Sequence, residues 1–195
     1  MNKKKKYNAV VIGVSAGGLN ALSFLLSKIP EDYKIPIIII QHRNTDQRDL
    51  LEEILQDKCK VKIKQADEKE PVKKGFVYLG PPDYHLLIEK DETFSLTSDA
   101  KVKYSRPSID VLFESASYVY QEKLVGIILT GANDDGTNGM KRISKYGGLT
   151  IAQNPQEAEF PIMPQAAISS GFVQNIFSLA EIQKFLLKIN TESNG

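Results

Sequence analysis

The stretch Ala9-Val10-Val11-Ile12-Gly13-Val14-Ser15-Ala16-Gly17-Gly18 decides the fold. A short apolar run, rich in β-branched residues, breaks at a glycine turn. Beyond it Leu19, Leu22, Leu25, Leu26 and Ile29 recur at helical spacing and stop before Pro30. That reads as strand, tight turn, helix. The same order returns along the chain. Ile35 to Ile40 is apolar except for Pro36, as a strand covered on both faces requires. It ends at Gln41-His42-Arg43, and Leu50, Leu51, Ile54 and Leu55 predict a helix over 49–57.

Farther on, Ser108 to Tyr120 is helical, with Ser108 placed to cap it. Leu124 to Leu129 is another buried-strand run, followed by a helix over 137–146 that stops at Gly147-Gly148. A strand over 149–153 and helices over 164–170 and 179–189 complete the reading. The middle differs: 61–66, 76–79, 85–89 and 93–97 look like short strands around the turn Gly80-Pro81-Pro82-Asp83. Strands alternating with helices predict an α/β fold. The expected form is a doubly wound, mainly parallel sheet flanked by helices, with a small antiparallel excursion around residues 61–97. Residues 1–7 are expected to be a flexible basic tail, 8–189 a single domain and 190–195 a frayed polar tail.

Composition narrows the function classes. In 195 residues, 25 Lys+Arg face 24 Asp+Glu, a formal net charge of +1. That balance argues against nucleic acid as partner, since such proteins usually carry a strongly basic face. The one cysteine, Cys59, excludes an intramolecular disulfide and a four-cysteine zinc site. It sits among charged residues with no histidine near it and reads as incidental. The lysine run from Lys3 to Lys6 resembles a signal-peptide start, but the apolar stretch after it is too short and meets a glycine turn. No apolar run approaches the roughly 20 residues that span a bilayer. The chain therefore reads as cytoplasmic, without membrane insertion. Nothing in the sequence speaks to oligomeric state.

In open α/β sheets, ligands bind at the carboxyl ends of the strands. Ser15 follows the first strand, His42 the second and Asp135 a later one. A hydroxyl, an imidazole and a carboxylate on one sheet edge have the composition of a nucleophile, a general base and its orienting acid. Gly13-Val14-Ser15-Ala16-Gly17 fits the Gly-x-Ser-x-Gly pattern on a strand-to-helix turn. Amides of that turn, at Ala16 and Gly17, can face a developing oxyanion. Plainer readings stand beside these: Ser15 as a helix cap, Asp135 as a helix cap, and Asp134-Asp135 as a magnesium pair. A dinucleotide loop fails, because Ser15 holds the second glycine position of Gly-x-Gly-x-x-Gly and no acidic residue ends the second strand. No metal and no organic cofactor are expected. His85, two residues from Asp83, is the rival base. His42 is favoured because its strand directly follows the Ser15 helix, and such strands are usually neighbours.

Ile12-Gly13-Val14-Ser15-Ala16-Gly17-Gly18, Gln41-His42-Arg43 and Leu129-Thr130-Gly131-Ala132-Asn133-Asp134-Asp135-Gly136-Thr137-Asn138-Gly139-Met140 together resemble the catalytic domain of the chemotaxis protein-glutamate methylesterases, the CheB type. Gly80 to Leu86, Arg106 to Ala116 and Phe160 to Ile168 add to the resemblance, which covers about residues 8–185. It implies hydrolysis of glutamyl methyl esters on chemoreceptor helices, with deamidation of some glutamines and no cofactor. It implies Ser15 as nucleophile, His42 as base, Asp135 as its orienting acid, and oxyanion donors near Ala132 and the Ser15 turn. Three features depart from the family. Ala16 stands where a threonine is usual, and Ala132-Asn133 where Met-Gly is usual. Only Met1 to Lys6 precede the first strand, where the family commonly carries a receiver domain; the resemblance is thus to a stand-alone catalytic domain. Two further functions stay open at this point: a catalytically weak module that binds a receptor or signalling protein, and an esterase acting on a protein outside chemotaxis.

Overall fold

The structure is a computed structural model that describes residues 6–43 and 50–192. Seven parallel strands form one sheet in the order β3-β4-β2-β1-β7-β8-β9. They are β1 (Ala9–Val14), β2 (Ile37–Gln41), β3 (Lys62–Gln65), β4 (Phe76–Leu79), β7 (Leu124–Ile128), β8 (Leu149–Gln153) and β9 (Asn175–Phe177). A separate antiparallel pair joins β5 (His85–Ile88) to β6 (Phe94–Thr97). The helices are α1 (Gly18–Leu26), α2 (Leu51–Gln56), α3 (Ile109–Tyr120), α4 (Thr137–Lys145), α5 (Ile162–Ser169) and α6 (Leu179–Glu192). None is long and apolar enough to cross a membrane.

Strand alternation sends successive side chains to opposite faces, and helices cover both. On one face Val10, Ile12, Ile37 and Ile39 meet Leu22, Leu25 and Leu26 of α1 and Ile182 and Leu186 of α6. On the other, Val11, Ile38 and Ile40 meet Ile109 and Phe113 of α3, Met140 of α4 and Met163 of α5. This is why β1 and β2 read as unbroken apolar runs: every residue from Ala9 to Val14 and from Ile37 to Gln41 is buried.

The antiparallel excursion is narrower than the expected 61–97. β3 and β4 pair in parallel and belong to the main sheet, through β4 beside β2. Only β5 and β6 stand apart, and Phe94 of β6 sets its ring 4.8 Å from that of Tyr78 in β4. Strand β9, absent from the sequence reading, is a partly exposed three-residue edge strand without an apolar run to mark it. At the chain end, α6 continues past Asn190. That residue is buried, and its Oδ1 accepts the Lys34 amide at 2.7 Å, so the expected frayed tail begins as helix. Tyr7 packs against the first core, edge-on to Phe185, so the ordered domain starts before residue 8. Asp49, the predicted start of the second helix, lies outside the described residues.

Candidate active site

β1 lies between β2 and β7, so its carboxyl end faces both neighbours. Val14 is in register with Gln41, which makes Ser15 and His42 the next pair beyond the ladder. The His42 amide donates to Val14 O at 3.1 Å, and the Ser15 amide donates to Thr130 O at 3.0 Å. The turn carrying Ser15 is thereby held from both sides. Gly17 has φ of 76°, in the left-handed region that favours glycine. A side chain there would also press on Glu159 and Thr130. Gly17 is the N-cap of α1 and no side chain caps that helix, so Ser15 does not serve as its cap. Ser15 is partly exposed, and its Oγ has no hydrogen-bond partner among the described residues.

Two residues whose parts the sequence did not reveal fix this turn. Buried Gln41 donates from Nε2 to Ser15 O at 2.8 Å and to His42 O at 3.0 Å. Thr130 Oγ1 donates to Ala16 O at 2.9 Å and accepts the Phe160 amide at 2.9 Å. Both act through backbone carbonyls, which leave no mark in a residue pattern.

His42 Nε2 lies 2.8 Å from Asp135 Oδ2. Asp135 is fully buried and richly supplied with donors. Its Oδ2 also accepts the Ile109 amide at 2.7 Å, while Oδ1 accepts Ser108 Oγ at 3.0 Å, the Asp110 amide at 3.1 Å and the Gly136 amide at 3.0 Å. Ile109 and Asp110 open α3. The carboxylate therefore sits on a helix N-terminus, where free amides and the helix dipole favour negative charge. Burial is the largest single influence on this acid and pushes its pKa up. The His42 hydrogen bond and the Ile109 and Asp110 amides together outweigh it, so Asp135 stays below the ordinary carboxylate range. An ionised Asp135 accepts a hydrogen bond from His42 Nε2–H and leaves Nδ1 as the ring's acceptor. Nδ1 in turn faces Asn133 Nδ2 at 3.3 Å.

The capping reading of Asp135 is half right. It caps a helix, but α3 across the site, not α4, which it precedes. Ser108 holds the N-cap position of α3, yet its hydroxyl goes to Asp135. Asp110 returns the arrangement: its Oδ1 accepts the Gly139 amide of α4 at 2.7 Å. Lys103 Nζ lies 3.1 Å from both Asp110 Oδ2 and Asp134 Oδ2, so Asp134 points to a lysine and not toward Asp135 as a pair.

His85, the rival base, is buried with both ring nitrogens engaged. Nδ1 accepts the Ser108 amide at 3.1 Å and Nε2 faces Ala100 O at 3.1 Å. Asp83 pairs with Arg106 instead of His85. Burial raises the Cys59 thiol, which disfavours the reactive thiolate.

An open depression of about 500 Å³ is lined by the turn from Ser15 to Asn20, Gln41 and His42. A more polar one of about 200 Å³ is also lined by His42, together with Arg43, Lys101 and Arg106. The backbone amides of Ala16, Gly17 and Ala132 donate to no acceptor among the described residues.

The fold and this edge define a class: doubly wound α/β proteins that present a hydroxyl, an imidazole and an ionised carboxylate where the central strands end. A family model described as CheB methylesterase matches residues 10–186, and the chain belongs to that family. A Leptospira interrogans protein, provisionally named protein-glutamate methylesterase/protein-glutamine glutaminase, is 50% identical over 184 residues, which cover 94% of this chain and 95% of that protein. The protein-glutamate methylesterase/protein-glutamine glutaminase of Clostridium acetobutylicum is 33% identical over 93% of this chain, but the match takes in only 52% of that protein. Among solved structures, the Thermotoga maritima CheB methylesterase catalytic domain matches with a TM-score of 0.90 at 30% identity, covering 94% of this chain and 99% of that one.

Proposed function

We propose that this chain hydrolyses glutamyl methyl esters on the cytoplasmic helices of chemoreceptors, and deamidates glutamines there, with Ser15 as nucleophile. The observation that carries the reading is the 2.8 Å contact between His42 Nε2 and an Asp135 held ionised at the start of α3. That contact engages Nε2 and leaves Nδ1 as the ring's acceptor, on the strand end that neighbours the one carrying Ser15. In the first half-reaction Ser15 Oγ bonds to the ester carbonyl carbon while its proton passes to His42 Nδ1. The tetrahedral oxyanion is received by the amides of Ala16, Gly17 and Ala132, which have no acceptor among the described residues. Collapse breaks the bond to methoxide, which leaves as methanol with the proton from His42. A water molecule then gives its proton to His42 and its oxygen to the acyl carbon, releasing glutamate and restoring Ser15. For a glutamine the leaving group is ammonia. The exchange of a threonine for Ala16 leaves the backbone amide in place, so the oxyanion site keeps that donor.

Methanol release from methylated receptor membranes tests this. Ser15→Ala and His42→Ala are each expected to lower it by about 10⁴-fold or more, with far-UV circular dichroism unchanged. Turnover retained in either variant would remove the assignment. Receptor binding without methanol release by the wild type would point instead to a binding module.

A further inference from the structure

Resting on that reading of Ser15 and His42, we propose that Asn133 is a positioning residue that competes with the nucleophile for the base. An imidazole Nδ1 has one lone pair in the ring plane, and it serves one donor well. The Asn133 amide already faces that nitrogen at 3.3 Å, while Ser15 Oγ stands without a partner among the described residues. Asn133 is not free to drift away. Its Oδ1 accepts the Asp135 amide at 3.1 Å, a turn of the kind asparagine side chains make with backbone two residues on. The loop itself is tied down by Lys103 Nζ, which donates to Asp134 O at 2.9 Å. One end of the side chain is thus anchored beside the acid, and the other rests on the base.

Two effects follow. The ring is held between Asp135 and Asn133, one on each of its nitrogens. Ser15 must also displace the amide before its proton can move. At 3.3 Å the contact is at the weak end of hydrogen-bond geometry, which makes it a modest brake.

Asn133→Ser separates the two ends. A serine hydroxyl can still accept the Asp135 amide, but it is too short to reach His42. The measurement is the second-order rate at which a fluorophosphonate labels Ser15 of the full chain, read by mass spectrometry. The variant is expected to label about threefold faster than wild type, the factor a weak neutral hydrogen bond corresponds to. Alongside it, the ¹⁵N resonance of His42 Nδ1 is compared between Ser15→Ala and the Ser15→Ala/Asn133→Ser double variant, and it is expected to move. A labelling rate at or below wild type overturns the proposal, as does an unmoved resonance. Failure of the catalytic reading looks different: Ser15 is then unlabelled in both proteins, and the resonance alone decides whether Asn133 holds the ring.

Discussion

The carboxylate of Asp135 accepts from two side chains, His42 and Ser108, and from three backbone amides. Asp135→Asn keeps the shape but turns an NH2 toward donors on one side. Buried donors left unmatched cost about 1–3 kcal/mol each, so a loss of about 3 kcal/mol is expected in urea denaturation, together with loss of turnover. The pH dependence has a definite sign. An unfolded aspartate titrates near 3.9, and the folded value is lower. The stabilising contribution is therefore complete above about pH 4 and disappears as pH falls through the folded value. Wild-type stability should fall more steeply than that of Asp135→Asn as acid is added below that point; parallel curves would contradict the assignment. At this scale the placement of Ser15, His42 and Asp135 on one sheet edge was legible because each follows a buried strand. Ser108, Gln41, Thr130 and the contacts of Asn133 were not, since they act on backbone groups or on partners far away in sequence.

At the scale of elements, the site depends on how closely α3 approaches β1. Gly13 lets it come near, because a Cβ there would overlap Ile109 Cγ2. Gly13→Ala should push the start of α3 away from Asp135 and cost about 1–3 kcal/mol by overpacking. Pairing it with Ile109→Ala should give a total loss smaller than the sum of the two single changes, as contacting residues do. Strict additivity by chemical denaturation would show that the two do not meet. Helix periods and buried strands made most elements readable. Parallel pairing of β3 with β4 was not, because no helical pattern separates Gln65 from Phe76 to announce a crossover. Asp110, at the start of α3, and Asp135, just before α4, each cap the other's helix, which only the packing of the two helices reveals.

For the whole molecule, two separate cores clasp one sheet, and α6 closes the first of them. Tyr33 Oη donates to Leu186 O at 2.9 Å and Gln183 Nε2 donates to Phe24 O at 2.6 Å, pinning α6 to the turn after α1 and to α1 itself. Leu186 is fully buried there. Leu186→Ala should cost about 2–5 kcal/mol, while the folded fraction keeps its rate of methanol release at low temperature. A rate that falls with the stability would mean that the site is coupled to this distant core. The alternation of strands and helices foretold this architecture; the sheet order came only with the strands' neighbours.

The central place of β1 also dictates when the site can exist. Ser15 and His42 emerge within the first 42 residues, but Asp135 lies 93 residues beyond His42. Until β7 docks, Ser15 lacks the Thr130 carbonyl for its amide, and His42 lacks the acid that aims it. On the function proposed above, a nascent chain leaving the ribosome carries hydroxyl and imidazole yet is hydrolytically silent, and the activity switches on only once the second half has folded onto the first.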